Sequence, residues 1–172
     1  MKPAQVATYK IVLCGEGGVG KTSIASVYTG GVFNPYMKLT VGIDYFTKMT
    51  IVDNTPYKIV IWDLGGEKRF RLLAPVFLRG ARGAVFVFDI TREETFTSIP
   101  EWLKITREVV GDIPKVLVGN KVDLDYIRMV PRSIAESYAE KEGFIAYIET
   151  SAKNNFNINK PFDLLINQII HS

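Results

Sequence analysis

The stretch that most limits what this chain can fold into is GEGGVGKTS, Gly15 to Ser23, because of what stands on either side of it. It follows the apolar run KIVLC, Lys10 to Cys14, and opens a helical pattern from Lys21 to Thr29 that stops at Gly30-Gly31. Strand, glycine-rich loop and helix in that order fit the G-x-x-x-x-G-K-[ST] phosphate loop. Glycines let backbone N–H groups turn inward around oxyanions, and the helix start adds positive potential. On this pattern Gly15, Glu16, Gly17, Gly18, Val19 and Gly20 form the cradle, and Ser23 closes it. Lys21 pairs with the β- and γ-phosphates, and the Thr22 hydroxyl ligates Mg²⁺. The bland alternative, a glycine-rich turn between strand and helix, is weakened because all three parts are in place.

The rest of the chain alternates in the same way. Strands are expected at Tyr9–Leu13, Ile43–Val52, Tyr57–Trp62, Gly83–Asp89, Lys115–Gly119 and Ile145–Glu149. KIVLC, AVFVFD and KVLVG are continuously apolar, the mark of strands buried on both faces of a parallel sheet. Asp53-Asn54-Thr55-Pro56 is turn chemistry and makes a hairpin of the second and third runs. Ser98-Ile-Pro-Glu101 reads as a capping box, with Trp102, Ile105 and Val109 on one face of the helix behind it. Further helices are expected over Pro131–Glu142 and Pro161–Ile170, the last with Phe162, Leu165, Ile166 and Ile169 in one stripe. The fold class is therefore α/β: three layers, a mostly parallel six-stranded sheet with one antiparallel strand, and helices on both faces. At 172 residues, with no linker or repeat, residues 1–172 are expected to form a single domain. Ligands of such sheets bind beyond the carboxyl ends of the strands.

The remaining motifs fall on that edge. Asp63 ends the apolar run KIVIW, where a Mg²⁺-associated acid of a phosphate-loop NTPase belongs, and Gly65-Gly66 lets a backbone N–H reach a γ-phosphate. Alone, an acid before two glycines is an ordinary turn. GNKVD, Gly119 to Asp123, follows another buried run. A carboxylate only accepts hydrogen bonds, and guanine offers it two adjacent donors that adenine lacks. Asp123 as base reader thus implies GTP over ATP, by a discrimination of roughly 10⁴–10⁵. ETSAK, Glu149 to Lys153, follows the last strand, where N–H groups near Ala152 meet guanine O6.

The ordered set Gly15–Ser23, Thr40, Asp63-x-x-Gly66, Asn120-Lys-x-Asp123 and Ser151-Ala-Lys153 resembles the Ras superfamily of small GTPases across essentially the whole chain. FNPYMKLTVGIDYF (33–46) and RFRLLAPVFLRGARGAVFVFDIT (69–91) are similar to Rab switch I and Rab switch II in particular. The resemblance implies a P-loop NTPase G domain that binds GTP or GDP with Mg²⁺ and hydrolyses GTP. It makes Thr40 the switch I threonine that ligates Mg²⁺ with Thr22 and Asp63, and Phe33 the aromatic against the guanine. Lys121 lays its stem along the base, Asn120 braces the loop, and Ser151, Ala152 and Lys153 complete the base site. Gly66 donates its N–H to the γ-phosphate, so Lys21, Gly66, Thr40 and residue 67 form the catalytic set. Residues 33–42 and 64–80 are the implied switches, ordered by GTP and read by effectors, exchange factors and GTPase-activating proteins.

The sequence departs from that family at its water-orienting residue, which is Gln in the family and Glu67 here. A Gln amide accepts from water and donates toward phosphate, whereas an ionised Glu accepts only. One repulsion at ~4 Å and an effective dielectric of ~20 is worth roughly 4 kcal/mol, about a thousandfold in rate, before Mg²⁺ offsets it. Three readings stay open: a poor substitute, a general base, or a protonated side chain that imitates Gln. Slow but real hydrolysis, helped by a partner, is expected. Leu64-Gly65 replaces the usual Thr-Ala and gives an Arf-like double glycine, and Met37 stands where many members carry a switch I tyrosine. Arg69 and Arg71 are expected to be solvated helix residues.

Several classes fall away. A net charge of +3 without a dense basic run gives no case for nucleic acid. The single Cys14 excludes an internal disulfide, fits a reducing compartment, and reads as a core residue rather than a reactive thiol. Lys2 occupies the myristoylation position and Cys14 is far from the C-terminus, so this chain offers no lipidation acceptor. A cytoplasmic monomer is expected, at a membrane only through a further tail or a recruiting partner. The lone His171 has no partner motif, Trp62 and Trp102 read as packing residues, and Phe70 and Phe77 as either core or a partner patch. Two rivals remain: a GTP-binding interaction module without useful hydrolysis, resting on Glu67, and a P-loop kinase, which the guanine-reading loop argues against.

Overall fold

In a computed structural model that describes residues 2–172, six strands form one sheet in the order β2-β3-β1-β4-β5-β6. The strands are β1 (Ala7–Cys14), β2 (Ile43–Val52), β3 (Thr55–Leu64), β4 (Gly83–Asp89), β5 (Lys115–Asn120) and β6 (Tyr147–Thr150). All pairings are parallel except β2 with β3. This is the expected doubly covered sheet. The turn between β2 and β3 is tighter than its four polar residues suggested. Asp53 and Asn54 both take left-handed backbone (φ 50° and 62°), and Thr55 is already strand. Two such residues give a turn whose twist matches that of the flanking strands.

Helices cover both faces. They are α1 (Lys21–Tyr28), α2 (Lys68–Arg71), α3 (Ala74–Leu78), α4 (Glu93–Thr97), α5 (Ile99–Val110), α6 (Arg132–Lys141) and α7 (Asn159–Ile170), with a 3₁₀ segment at Val122–Ile127. α1 and α7 close one face over Leu13, Val85 and Val118, where Tyr28 stacks on the fully buried Phe162 at 4.0 Å. α3, α5 and α6 close the other over Phe86, Phe88 and Leu117, around a fully buried Trp102. Each such side chain stabilises the fold by about 1.5–3 kcal/mol. β4 is buried at every position, as its unbroken apolar run requires.

The capping box at Ser98 is not formed. Ser98 has helical backbone and makes no side-chain cap bond; its hydroxyl donates to Thr95 O at 3.0 Å, because α4 leads directly into α5. Glu101 is thereby free for a partner elsewhere. α5 turns Ile99, Trp102, Leu103 and Thr106 to the core, while Ile105 and Val109 are only partly buried.

Candidate functional site

The loops at the carboxyl ends of β1, β3, β5 and β6 meet around a cavity of about 360 Å³. Its lining includes Gly17, Gly18, Gly20, Lys21, Thr22 and Ser23 from the phosphate loop, and Phe33 and Thr40 from the segment after α1. Gly66, Glu67, Asn120, Lys121, Asp123, Ala152 and Lys153 complete it. Gly15, Glu16, Val19, Asp63 and Ser151 are not on its wall, and they act on it through their neighbours. A larger groove of about 730 Å³ between the end of β2 and α7 contains none of the predicted site residues.

At one end the groups suit phosphate and a hard cation. Lys21 is buried and donates to Gly15 O and Glu16 O, both at 2.9 Å. Burial pulls its pKa below the ordinary lysine range, against the pull of Asp63. Asp63 is fully buried, and that burial raises its pKa although Lys21 and the Thr22 hydroxyl oppose the shift. Three oxygens converge beside them. Thr22 Oγ1 lies 2.5 Å from Thr40 Oγ1, the Thr22 hydroxyl donates to Asp63 Oδ2, and the Thr40 hydroxyl reaches the same oxygen at 3.3 Å. Asp63 Oδ1 is buried with no partner at all. An all-oxygen set with an orphaned carboxylate oxygen and few protein ligands fits Mg²⁺, which keeps waters and takes phosphate oxygens.

The glycines after Asp63 are required by close approach. A Cβ on Gly66 would run into Gly15 O, the Glu16 carbonyl carbon and Gly17 N, all backbone of the phosphate loop. A Cβ on Gly65 would lie 2.9 Å from Thr40 O, and Gly65 N donates to Gly42 O at 2.8 Å. The Arf-like double glycine thus lets the segments around Thr40 and Gly66 touch. Glu67 follows on the cavity wall, and its carboxylate pairs with Arg69 at 2.8 Å.

At the other end the loops are tied together. Asn120 donates from Nδ2 to Val19 O and accepts on Oδ1 from Thr150 Oγ1, both at 2.9 Å, so it fastens the phosphate loop to β5 and β6. Lys121, with left-handed backbone at φ 72°, donates to Gly18 O at 2.8 Å and pairs with the buried Asp89 at 2.9 Å. Ser151 Oγ donates to Asp123 Oδ1 at 2.8 Å and orients that carboxylate.

Sequence reasoning missed three supports of this site. Asp89 and Thr150 end β4 and β6, and only the register of β4, β5 and β6 brings them to Lys121 and Asn120. Arg128 grips Glu149 with two bonds of 2.7 and 2.9 Å, and Tyr147 donates to Glu149 at 2.6 Å. Burial would raise the Glu149 pKa, but Arg128 and Tyr147 hold it below the usual carboxylate range. Its stabilisation is therefore present above about pH 4.3, the unfolded value, and is lost as pH falls through the lower folded one. Glu149→Gln is expected to cost about 2 kcal/mol and lower the melting temperature by roughly 4–8 °C at neutral pH. Thermal denaturation at pH 7 and pH 3.5 checks this, because the difference between the two proteins should shrink at the lower pH.

One expectation for the charged segment changes. Arg69 is exposed as expected, but Arg71 is buried, paired with Glu16 and, at 2.6 Å, with Glu101. His171 has a partner, since Nε2 lies 2.8 Å from Asp53, which raises its pKa. Tyr36 is 88% exposed and Met37 Sδ accepts from Ser23 Oγ at 3.7 Å, so no tyrosine covers the cavity. Cys14 is fully buried, and burial pushes its pKa up to about 12, as suits a core thiol.

The model of the Ras family matches residues 10–171. The chain is 38% identical over 164 residues to the Ras-related protein YPTC6 of Chlamydomonas reinhardtii, covering 95% of this chain and 76% of that protein. It is likewise 38% identical over 162 residues to the Ras-related protein RABA2a of Arabidopsis thaliana, covering 94% and 74%. The chain belongs to the Ras family and is a Rab-like small GTPase. Among the described residues no helix is long and apolar enough to cross a membrane.

Proposed function

We propose that the cavity holds GTP or GDP with Mg²⁺, and that the chain is a switch that hydrolyses GTP slowly because Glu67 stands where the family uses Gln. One observation carries this reading: a single cavity has Lys21, Thr22, Thr40 and Gly66 at one end and Asp123 and Ala152 at the other. That spacing of phosphate and base chemistry suits a guanine nucleotide. Thr22, Thr40 and Asp63 hold the Mg²⁺, which neutralises phosphate charge when bound. Lys21 leaves its two carbonyls for the β- and γ-phosphates, and Gly66 N–H turns to the γ-phosphate. Phe33 packs on the base, and Lys121 lies along it. Residues 1–172 act as one domain.

Glu67 orients the attacking water through its carboxylate. Arg69 offsets part of its charge, a contribution of about 0.2–1 kcal/mol for so exposed a pair. Arg69→Ala should therefore slow hydrolysis about two- to fivefold, and should have no effect in a Glu67→Gln background. Equal slowing in both backgrounds would show that Arg69 acts on something else. Single-turnover rates against pH separate the roles of Glu67: a rise with pH marks a base, and a fall marks a protonated mimic of Gln.

A second reading, a GTP-binding interaction module with little hydrolysis, is favoured by the charge of Glu67 alone. Either way, effectors, exchange factors and GTPase-activating proteins would meet the switch surface. Leu39, Val41, Tyr45, Leu72 and Val76 expose apolar area there. Phe77 sits behind them against Trp62, whose ring lies edge-on to Tyr45 at 4.7 Å. The test of the nucleotide assignment is calorimetric titration with GDP and ADP, with and without Mg²⁺. Tight, Mg²⁺-dependent binding of GDP alone is expected, and equal affinity for ADP would overturn it.

A further inference from the structure

Arg71 is a buried charge with no part in the nucleotide chemistry above. It stands on α2, yet its two terminal nitrogens reach two other parts of the molecule. Nη2 pairs with Glu16 of the phosphate loop, and Nη1 lies 2.6 Å from Glu101 of α5. Its guanidinium lies over the indole of Trp102, 5.1 Å from the ring centre. Nε has no partner, so the burial is not fully compensated. A buried ion pair adds little net stability compared with an apolar replacement, and its best-attested use is to fix one arrangement among several. The planar fork of arginine suits this, because it holds two carboxylates in fixed directions where a lysine gives a single point charge.

We propose that Arg71 is a positioning residue, fastening the segment that carries Gly66 and Glu67 to the phosphate loop and to α5. The inference rests on the GTP reading. Through Glu16 it ties that segment to the backbone of the phosphate loop. Only GTP has the γ-phosphate that Gly66 and Glu67 address. Loosening Arg71 should therefore weaken the response to GTP and leave GDP binding almost untouched.

The test compares the whole chain with its Arg71→Ala and Glu101→Gln variants. Affinities are measured for GDP and for a non-hydrolysable GTP analogue, together with single-turnover hydrolysis at saturating GTP. Trp102 emission is followed in a Trp62→Phe background. Arg71→Ala should lower the ratio of GTP-analogue to GDP affinity and the saturating rate about tenfold each, and should shift Trp102 emission. Glu101→Gln, which removes one anchor, should lower both about threefold. Glu101 is more than half exposed, so this variant decides the matter if Arg71→Ala does not fold. Variants that melt earlier but keep the ratio and the saturating rate within twofold would overturn the proposal, since a merely structural arginine behaves that way. Failure of the unmodified chain to bind guanine nucleotide would overturn the GTP reading, and the role of Arg71 with it.

Discussion

Asp123→Ala is expected to lower the affinity for GTP and GDP by about 10³–10⁴-fold while leaving the fold intact. On the proposed reading the carboxylate is the acceptor that guanine's two adjacent donors require, and a site built on such bonds discriminates by roughly 10⁴–10⁵. Ser151 holds it at 2.8 Å, so it is oriented before any base arrives. Asp123 is not part of the core, so the substitution should move the melting temperature by no more than a degree or two in the absence of nucleotide. Calorimetric titration with GDP measures the effect. A loss of less than tenfold would show that the base is read by other groups.

Gly66→Ala should slow GTP hydrolysis by about 10²–10³-fold and weaken GTP binding more than GDP binding. The nearest neighbours of the added Cβ would be backbone atoms of Gly15, Glu16 and Gly17, and backbone cannot swing aside as a side chain does. Residues 66 and 67 must then move away from the phosphate loop. One preorganised donor at a developing charge is worth about 10²–10³ in rate, which sets the scale of the loss. GDP lacks the γ-phosphate, so its affinity should fall less than threefold. Single-turnover hydrolysis and fluorescent-nucleotide titration check both halves. An unchanged rate would place the γ-phosphate away from Gly66.

The parts of this molecule legible in the sequence are those set by local pattern. KIVLC and AVFVFD had to be strands buried on both faces; AVFVFD is, and KIVLC is from Ile11 onward, with Lys10 only partly buried. The stripe of Phe162, Leu165, Ile166 and Ile169 had to face a core, and it does. The phosphate loop and Asn120-Lys-x-Asp123 each carry their chemistry at fixed offsets. What escaped depends on distance in space. Ser98-Ile-Pro-Glu101 satisfies the capping-box pattern, but a short helix runs straight into Ser98, so Glu101 meets Arg71 thirty residues earlier instead. Arg71 looked solvated because it lies in a charged run, and only the packing of α2 against α5 and the phosphate loop buries it. Arg128 and Glu149 are likewise partners across 21 residues, a pairing that no spacing rule supplies.

Glu67 is where the sequence breaks with its family and where the account is most exposed to test. Glu67 lines the cavity beside Gly66 and Thr40, so on the proposed reading the substitution falls at the γ-phosphate end. Its charge is partly met by Arg69, which lowers the penalty below the roughly thousandfold expected for an uncompensated repulsion. The decisive measurement is single-turnover hydrolysis of GTP by the protein and by Glu67→Gln, each loaded to a known nucleotide content. The account predicts slow but measurable hydrolysis by the unmodified chain and about a ten- to hundredfold gain for Glu67→Gln, with GDP affinity unchanged. Equal rates would contradict it, and a slower Glu67→Gln protein would contradict it and make Glu67 the working base.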